Sequence, residues 1–263
     1  MDKKVLIIDV GNTSTDFAVF ENGNLRDFLG FFKLPFEIEK AKKAMISYKN
    51  QGGNIDDGMI FSVVPKNDEP IQKLVKEVFG ISIPVFNWKG YKLKKNSPQI
   101  KESIGADLLA DLRQADVEYG GPCLIADFGT VTKLLQTDEN GVFVGLSFIP
   151  GLEISLKLFS QNTALLPEYE HFEIKKGRLG LNTFESMSHG IYYSTVYYVK
   201  NVYESLNDKN IKLILTGGNH RFVKDEFKDA IIDPELTLKG MYVLYKETVK
   251  WNTKIICYLK KKI

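Results

Sequence analysis

The chain has 263 residues, enough for one large domain or two of ordinary size with a substantial buried core. Its 35 Lys and Arg against 33 Asp and Glu leave a formal net charge of +2, too balanced for a protein that binds by neutralising nucleic-acid phosphates, so no nucleic-acid partner is expected. The two cysteines, Cys123 and Cys257, lie far apart beside apolar residues; this excludes a disulfide framework or a cysteine zinc site and reads as core thiols in a reducing cytoplasm. The first apolar run, Val5 to Ile8, is too short for a signal-peptide core, and no stretch approaches the ~18 apolar residues of a membrane span, so a cytoplasmic chain without a membrane partner is expected.

In chain order, short β-branched runs ending in glycine or a polar turn predict strands at Val5 to Val10, Met59 to Val64, Cys123 to Phe128, Val142 to Ile149 and Ile211 to Leu215. Helical spacing falls between them, at Ile38 to Tyr48, Pro70 to Phe79, Ser103 to Glu118, Leu152 to Phe159, Phe184 to Leu206 and Phe222 to Ala230. Alternation of this kind argues an α/β fold. The basic tail, Thr248 to Ile263, is expected to be a solvated extension.

An internal echo carries more weight than any single element. Val5-Leu-Ile-Ile-Asp-Val-Gly-Asn-Thr13 resembles Cys123-Leu-Ile-Ala-Asp-Phe-Gly-Thr-Val131, each an apolar strand delivering Asp-x-Gly-polar into a turn. Two related halves follow: residues 1–118, then 119–246 after the Tyr-Gly-Gly-Pro at 119 to 122, with 247–263 as the extension. A second apolar stretch after each copy predicts that Gly11 and Gly129 occupy hairpin turns that use positive φ.

The absent motifs narrow the chemistry. No two glycines are separated by one residue, so the dinucleotide fingerprint is missing; there is no Gly-x4-Gly-Lys-Ser/Thr loop, and His171, His189 and His220 form no metal-ligand spacing. The echoed loops remain. In the first, backbone N–H groups around Gly11, the Asn12 amide and the Thr13 hydroxyl are donors for an anion, and Asp9 can hold Mg²⁺ through water. In the second, Asp127, Gly129, Thr130 and Thr132 offer the same kit, and the paired glycines of Thr216-Gly-Gly218 allow close approach of a flat ligand such as adenine. Each loop read by itself is equally well a plain hairpin turn; the repetition after matched strands favours a phosphate clamp.

The ordered set Asp-Val-Gly-Asn-Thr at 9 to 13, Ser-Val-Val-Pro at 62 to 65, Gly-Ala-Asp at 105 to 107, Asp-Phe-Gly-Thr at 127 to 130, Ile-Pro-Gly at 149 to 151, Thr-Ala-Leu-Leu-Pro at 163 to 167, Asn-Thr at 182 to 183 and Thr-Gly-Gly at 216 to 218 resembles type III pantothenate kinase. The resemblance implies two duplicated actin-like (ribonuclease H-like) domains of the acetate and sugar kinase superfamily around an ATP cleft, in a homodimer. It implies phosphorylation of pantothenate by ATP, the first step of coenzyme A synthesis, with Mg²⁺ and a monovalent cation, K⁺ or NH₄⁺. Carried over by position, Asp9, Val10, Gly11, Asn12, Thr13, Ser14, Thr15 and Asp16 would hold the ATP phosphates and magnesium, joined by Thr130, and Asp127 would ligate the monovalent cation. Gly105, Ala106, Asp107 and Leu108 would line the pantothenate site with Thr183, and Asp107 would accept the proton of the substrate's primary hydroxyl. Phosphoryl transfer needs an oriented nucleophile more than a strong base, so a carboxylate suits that role. Asp107 also suits the first turn of a helix on dipole grounds alone. Asp111, one turn on, is read as solvated or structural.

The family pattern is broken at four places, one of them Gly145-Leu146, where a Gly-Gly is usual. Leu108 stands where the family has an arginine for the substrate carboxylate, and Arg113 lies about 140° further round a helix of about 3.6 residues per turn, out of reach of that role. A tyrosine expected before Gly105 is missing, its place falling at Lys95 or Pro98, with Lys95 the candidate cation for the carboxylate, and Lys133 replaces a usual threonine. These departures keep open an alternative, a catalytically impaired homologue acting as a nucleotide-binding regulatory module. The tyrosines at 192, 193, 197 and 198 are expected to contribute to the dimer contact.

Overall fold

The computed structural model describes residues 3–33, 35–87, 104–169, 171–174 and 177–260, by backbone alone from 250 onwards. In chain order the elements are β1 (Lys4–Val10), β2 (Ser14–Glu21), β3 (Asn24–Lys33), α1 (Ile38–Asn50), β4 (Asp57–Ser62), α2 (Asp68–Phe79), α3 (Ala106–Glu118), β5 (Cys123–Phe128), β6 (Val131–Thr137), β7 (Phe143–Pro150), α4 (Leu152–Asn162), α5 (Thr183–Ser205), β8 (Lys212–Thr216), α6 (His220–Val223), β9 (Ile231–Ile232) and α7 (Leu236–Lys260). The described residues fall into two compact units, one made of the chain up to 87 with 104–114 and 236–260, the other of Ala115–Glu235.

The first unit carries a sheet in the order β3-β2-β1-β4. Strand β1 runs antiparallel to β2 and parallel to β4, and its Val5-Leu-Ile-Ile8 run is buried, as expected for a strand covered on both faces. Asn22 and Gly23 both take positive φ in the two-residue turn from β2 to β3, the Asn-Gly signature of a tight hairpin. Helix α2 buries Ile71, Leu74, Val75 and Val78, an i, i+3, i+4, i+7 stripe, and stops where Gly80 adopts the left-handed conformation. Helix α7 returns to this sheet: Tyr242 stacks on Phe20, the Tyr245 hydroxyl donates to Asp57 at 2.8 Å, and Gly240 lies where a Cβ would come within 2.0 Å of the Ala110 carbonyl on α3.

The second unit repeats the plan. Its sheet order is β7-β6-β5-β8-β9, with β5 antiparallel to β6, β6 antiparallel to β7, and β8 parallel to β5. Strands β5, β6, β7 and β8 therefore correspond in order and direction to β1, β2, β3 and β4. The internal echo of the sequence is a repeat of topology. The core of this unit gathers Leu124, Ala126 and Phe128 of β5 with Leu156, Ile191, Tyr192, Val196 and Val199 of α4 and α5.

One expectation is corrected. The predicted helix from Phe222 to Ala230 is a single turn, α6, followed by 3₁₀ geometry at Lys224–Glu226; the N–H groups of Phe227 and Ala230 bond carbonyls three residues back, the tighter ladder of that form. The basic segment expected as a solvated extension continues α7, whose helical backbone runs to Lys260.

Candidate functional site

Register decides which side chains share each loop. In the first unit Asp9, the penultimate residue of β1, sits directly opposite Asp16 of β2, so the two carboxylates lie on the same face of the antiparallel pair. The turn between them is closed by the Gly11 N–H bonding the Ser14 carbonyl at 2.9 Å, while Asn12 and Thr13 are exposed at its tip. Asp16 Oδ1 and Thr15 Oγ1 are buried without a hydrogen-bond partner, and burial pushes the Asp16 carboxyl up to about 6. Two neighbouring carboxylates, one with an orphaned oxygen, form a donor set suited to a hydrated divalent cation, and Mg²⁺ fits there on oxygen chemistry. Gly11 does not take positive φ, contrary to the sequence expectation; a Cβ would lie 3.3 Å from the Ser14 carbonyl, so close approach within the turn, and not handedness, is what glycine eases.

In the second unit Asp127 of β5 is only 5% exposed and stands between Lys133 of β6 on one side and Thr216 of β8 on the other. Lys133 Nζ donates to Asp127 Oδ2 at 2.5 Å in a buried ion pair. Gly217, whose φ is +79°, packs beside the other carboxylate oxygen, where a Cβ would fall 2.2 Å from Asp127 Oδ1. A free K⁺ or NH₄⁺ at this carboxylate, the implied monovalent-cation site, does not fit the residues present, because a tethered ammonium already matches the charge. Gly129 is likewise not at positive φ, and a Cβ there would meet only ordinary contacts at 3.5 and 3.7 Å. Gly151 is different: its N–H bonds the Thr130 carbonyl at 3.0 Å, and a Cβ would sit 2.3 Å from the Gly129 carbonyl. The Ile-Pro-Gly and Thr-Gly-Gly segments thus both brace the second loop.

The segment carrying the expected acceptor residues opens α3. Gly105 precedes the helix and accepts from the Leu109 N–H, and a Cβ at Gly105 would strike Asp107 Oδ1 at 2.6 Å, so the missing side chain leaves the space into which that carboxylate folds. Ala106 and Leu108 are buried. Arg113 is held by Glu247 of α7, with Nε and Nη2 at 2.8 and 2.6 Å from Oε1. Asp111 is fully buried and accepts from the Thr237 hydroxyl at 2.6 Å, which makes it structural. Thr183 is exposed at the start of α5, just after Asn182, whose side chain caps the helix by accepting from the Glu185 N–H at 2.9 Å. Lys95 lies outside the described residues.

The family model described as type III pantothenate kinase matches residues 5–205. The chain belongs to the type III pantothenate kinase family. Among similar curated proteins, the type III pantothenate kinase of Agathobacter rectalis is 34% identical over 92% of this chain and 97% of its own length, and that of Halalkalibacterium halodurans is 30% identical over 93% and 100%. Three solved structures share the fold at low identity. A conserved putative Baf family transcriptional activator from Campylobacter jejuni has a TM-score of 0.55 at 19% identity, covering 93% of this chain and 99% of that one. The ethanolamine utilization protein EutJ from Carboxydothermus hydrogenoformans scores 0.51 at 12%, covering 90% and 88%. The activator of 2-hydroxyisocaproyl-CoA dehydratase from Clostridium difficile, with bound ADPNP, scores 0.50 at 12%, covering 96% and 98%. The fold is actin-like, with one sheet of that plan in each unit.

For a member of the type III pantothenate kinase family, the sequence reading missed three supports of the site: the Asp9–Asp16 register, the Lys133–Asp127 pair, and the bracing of the second loop by Gly151 and Gly217. Lys133 stands out in the sequence as a departure from pattern, but its target depends on strand register. His189 lies against Tyr193, His220 Nδ1 is 2.6 Å from the Gly217 carbonyl, His171 is exposed, and among the described residues no three or more His, Cys, Asp or Glu side chains gather into a group that could hold a metal ion. Cys123 is a buried free thiol. No helix of the described residues is long and apolar enough to cross a membrane.

Proposed function

We propose that the protein is an ATP-dependent kinase that phosphorylates pantothenate on its primary hydroxyl, the first step of coenzyme A synthesis. The observation that carries this reading is the family match, sustained at 34% identity over 92% of the chain. Asp9 to Asp16 and Thr130 bind the nucleotide phosphates, and Asp9 with Asp16 holds Mg²⁺, which when bound offsets phosphate charge. Asp107, in the first turn of α3, accepts the hydroxyl proton as the new P–O bond forms, and Gly105, Ala106, Leu108 and Thr183 shape the pantothenate site. Leu108 carries no charge for the substrate carboxylate, and Lys95 takes that part, so Lys95→Ala raises the pantothenate KM with little effect on ATP.

The working form is a homodimer in the cytoplasm. Of the four clustered tyrosines, Tyr192 is fully buried and donates to Glu226, Tyr193 and Tyr198 pack against the core, and Tyr197 is exposed. Val144, Leu146 and Phe148 line one side of β7, and Leu165, Leu179 and Leu181 are exposed in loops, so this unit presents apolar surface suited to a second copy. The deciding experiment is a coupled assay of ADP release with and without pantothenate. Release that depends on pantothenate supports the kinase; nucleotide binding without any such release supports the regulatory alternative.

A further inference from the structure

The Asp127–Lys133 pair is an unusual object to find beside a phosphate-binding loop. Asp127 is the penultimate residue of a strand whose six residues are all buried, and Lys133 has only 16% of its side chain exposed. A buried carboxylate requires a cation, and here it is covalently supplied from the directly opposite position of the antiparallel ladder. Oδ2 is engaged by the ammonium, and Gly217 packs so close to Oδ1 that a Cβ there would fall 2.2 Å from it. The Thr216 hydroxyl, also registered beside Asp127, is buried without a partner. An exchangeable cation at this carboxylate would need the place of Nζ and would be repelled by it.

We propose that Lys133 is a built-in monovalent cation: its ammonium permanently provides the positive charge at the second phosphate loop, so that nucleotide binding and phosphoryl transfer do not require added K⁺ or NH₄⁺. A lysine ammonium is a compact point charge with three donors, the closest side-chain counterpart of a bound ammonium ion. The tether keeps its local concentration high at any ionic composition of the solvent. Lys133 acts as a positioning residue, through Asp127 and the loop charge. The inference rests on the kinase reading for its activity arm only.

The full-length protein and its Lys133→Thr and Lys133→Met variants are compared in KCl, NH₄Cl and tetramethylammonium chloride at a constant ionic strength of about 0.1 M. Pantothenate-dependent ADP release, the calorimetric Kd for a non-hydrolysable ATP analogue and the Tm are read in each salt. The parent protein is expected to vary less than about twofold in rate and in Kd across the salts. Lys133→Thr, which opens room beside Asp127, is expected to bind nucleotide about tenfold more weakly in tetramethylammonium and to recover in K⁺ or NH₄⁺, with a matching rise in Tm. Lys133→Met, which removes the charge but fills the space, is expected to lose affinity without recovering. A parent stimulated about tenfold by K⁺ in Kd or rate overturns the proposal. So does a folded Lys133→Thr that matches the parent without K⁺, or one that is impaired yet indifferent to K⁺ and NH₄⁺. If the variants do not fold, the salt series on the parent decides by itself. If no pantothenate-dependent turnover occurs in any salt, the kinase reading fails, while the Kd and Tm arms still decide the role of Lys133.

Discussion

The two loops are built on the same strand plan and solve opposite electrostatic problems. At the end of β1, Asp9 faces Asp16, an acid opposite an acid; at the end of β5, Asp127 faces Lys133, an acid opposite a base. The first pair is left with an unpartnered buried oxygen on Asp16 and a carboxyl pushed up to about 6, which is what the proposed Mg²⁺ would relieve. The second pair is complete in the free protein. On the reading proposed above, a duplicated backbone hosts one site that recruits an ion and one that carries its own, and the difference lies in a single cross-strand residue in each half.

The largest effect tests whether the chemistry lies outside both loops. Asp107→Asn is expected to lower kcat by about 10³-fold while leaving the Kd for an ATP analogue unchanged, because the carboxylate acts on the acceptor and not on the nucleotide. A near-normal kcat in a steady-state assay removes Asp107 from the mechanism and returns the burden to the loops.

Next come two stability changes of opposite sign. Asp127→Ala removes the carboxylate that faces the mostly buried Lys133 ammonium and is expected to destabilise the protein by about 3–5 kcal/mol in denaturant unfolding. Asp16→Asn removes a charge that the fold disfavours and is expected to stabilise the metal-free protein near pH 7 by roughly 1–3 kcal/mol. Equal signs for the two variants would erase the contrast between an incomplete and a complete site.

The same Asp16 sets a pH dependence. Its folded pKa, about 6, lies above the ordinary 3.8, so between those values the folded state holds more protons than the unfolded state and stability from this group falls as pH rises across that window. Mg²⁺ requires the deprotonated form, so apparent Mg²⁺ affinity is expected to fall by up to about tenfold per pH unit below pH 6, with Asp16→Asn flattening the profile. A metal titration at several pH values that shows no inflection near 6 excludes Asp16 as a ligand.

Much of this was legible in the sequence because the informative residues are local. The apolar runs ending in Asp-x-Gly placed β1 and β5, and the echo between them anticipated the repeat of topology. The helix stripe of α2 follows from spacing within a few residues, and so does the helix expected from Ser103 to Glu118, which in the described residues is α3 from Ala106 to Glu118. Strand β3 was missed because it is a largely exposed edge strand with Arg26, Asp27 and Gly30 interrupting its pattern, and α7 because its packing partners, Phe20, Asp57 and Ala110, are remote in sequence. The Lys133–Asp127 pair depends on a hairpin register that no local signal specifies.

The smallest predicted effect separates binding from folding within the second loop itself. Gly129 is not at positive φ, and a Cβ there meets nothing closer than 3.5 Å, so Gly129→Ala is expected to change unfolding free energy by less than about 0.5 kcal/mol. Its methyl group nevertheless stands on the loop surface that phosphates must approach, and the Kd for an ATP analogue is expected to rise several-fold, about 1 kcal/mol. Gly151→Ala provides the contrast, since its Cβ would lie 2.3 Å from the Gly129 carbonyl and 2.5 Å from that of Thr130; it is expected to lower stability and affinity together. Calorimetry and denaturant titration on the two variants place them in different quadrants if the second loop is preorganised by Gly151 and used through Gly129. Should Gly129→Ala bind nucleotide like the parent, phosphates do not come within a methyl's reach of this turn, and the second loop serves as a charged hairpin beside the site while the first loop alone grips the nucleotide.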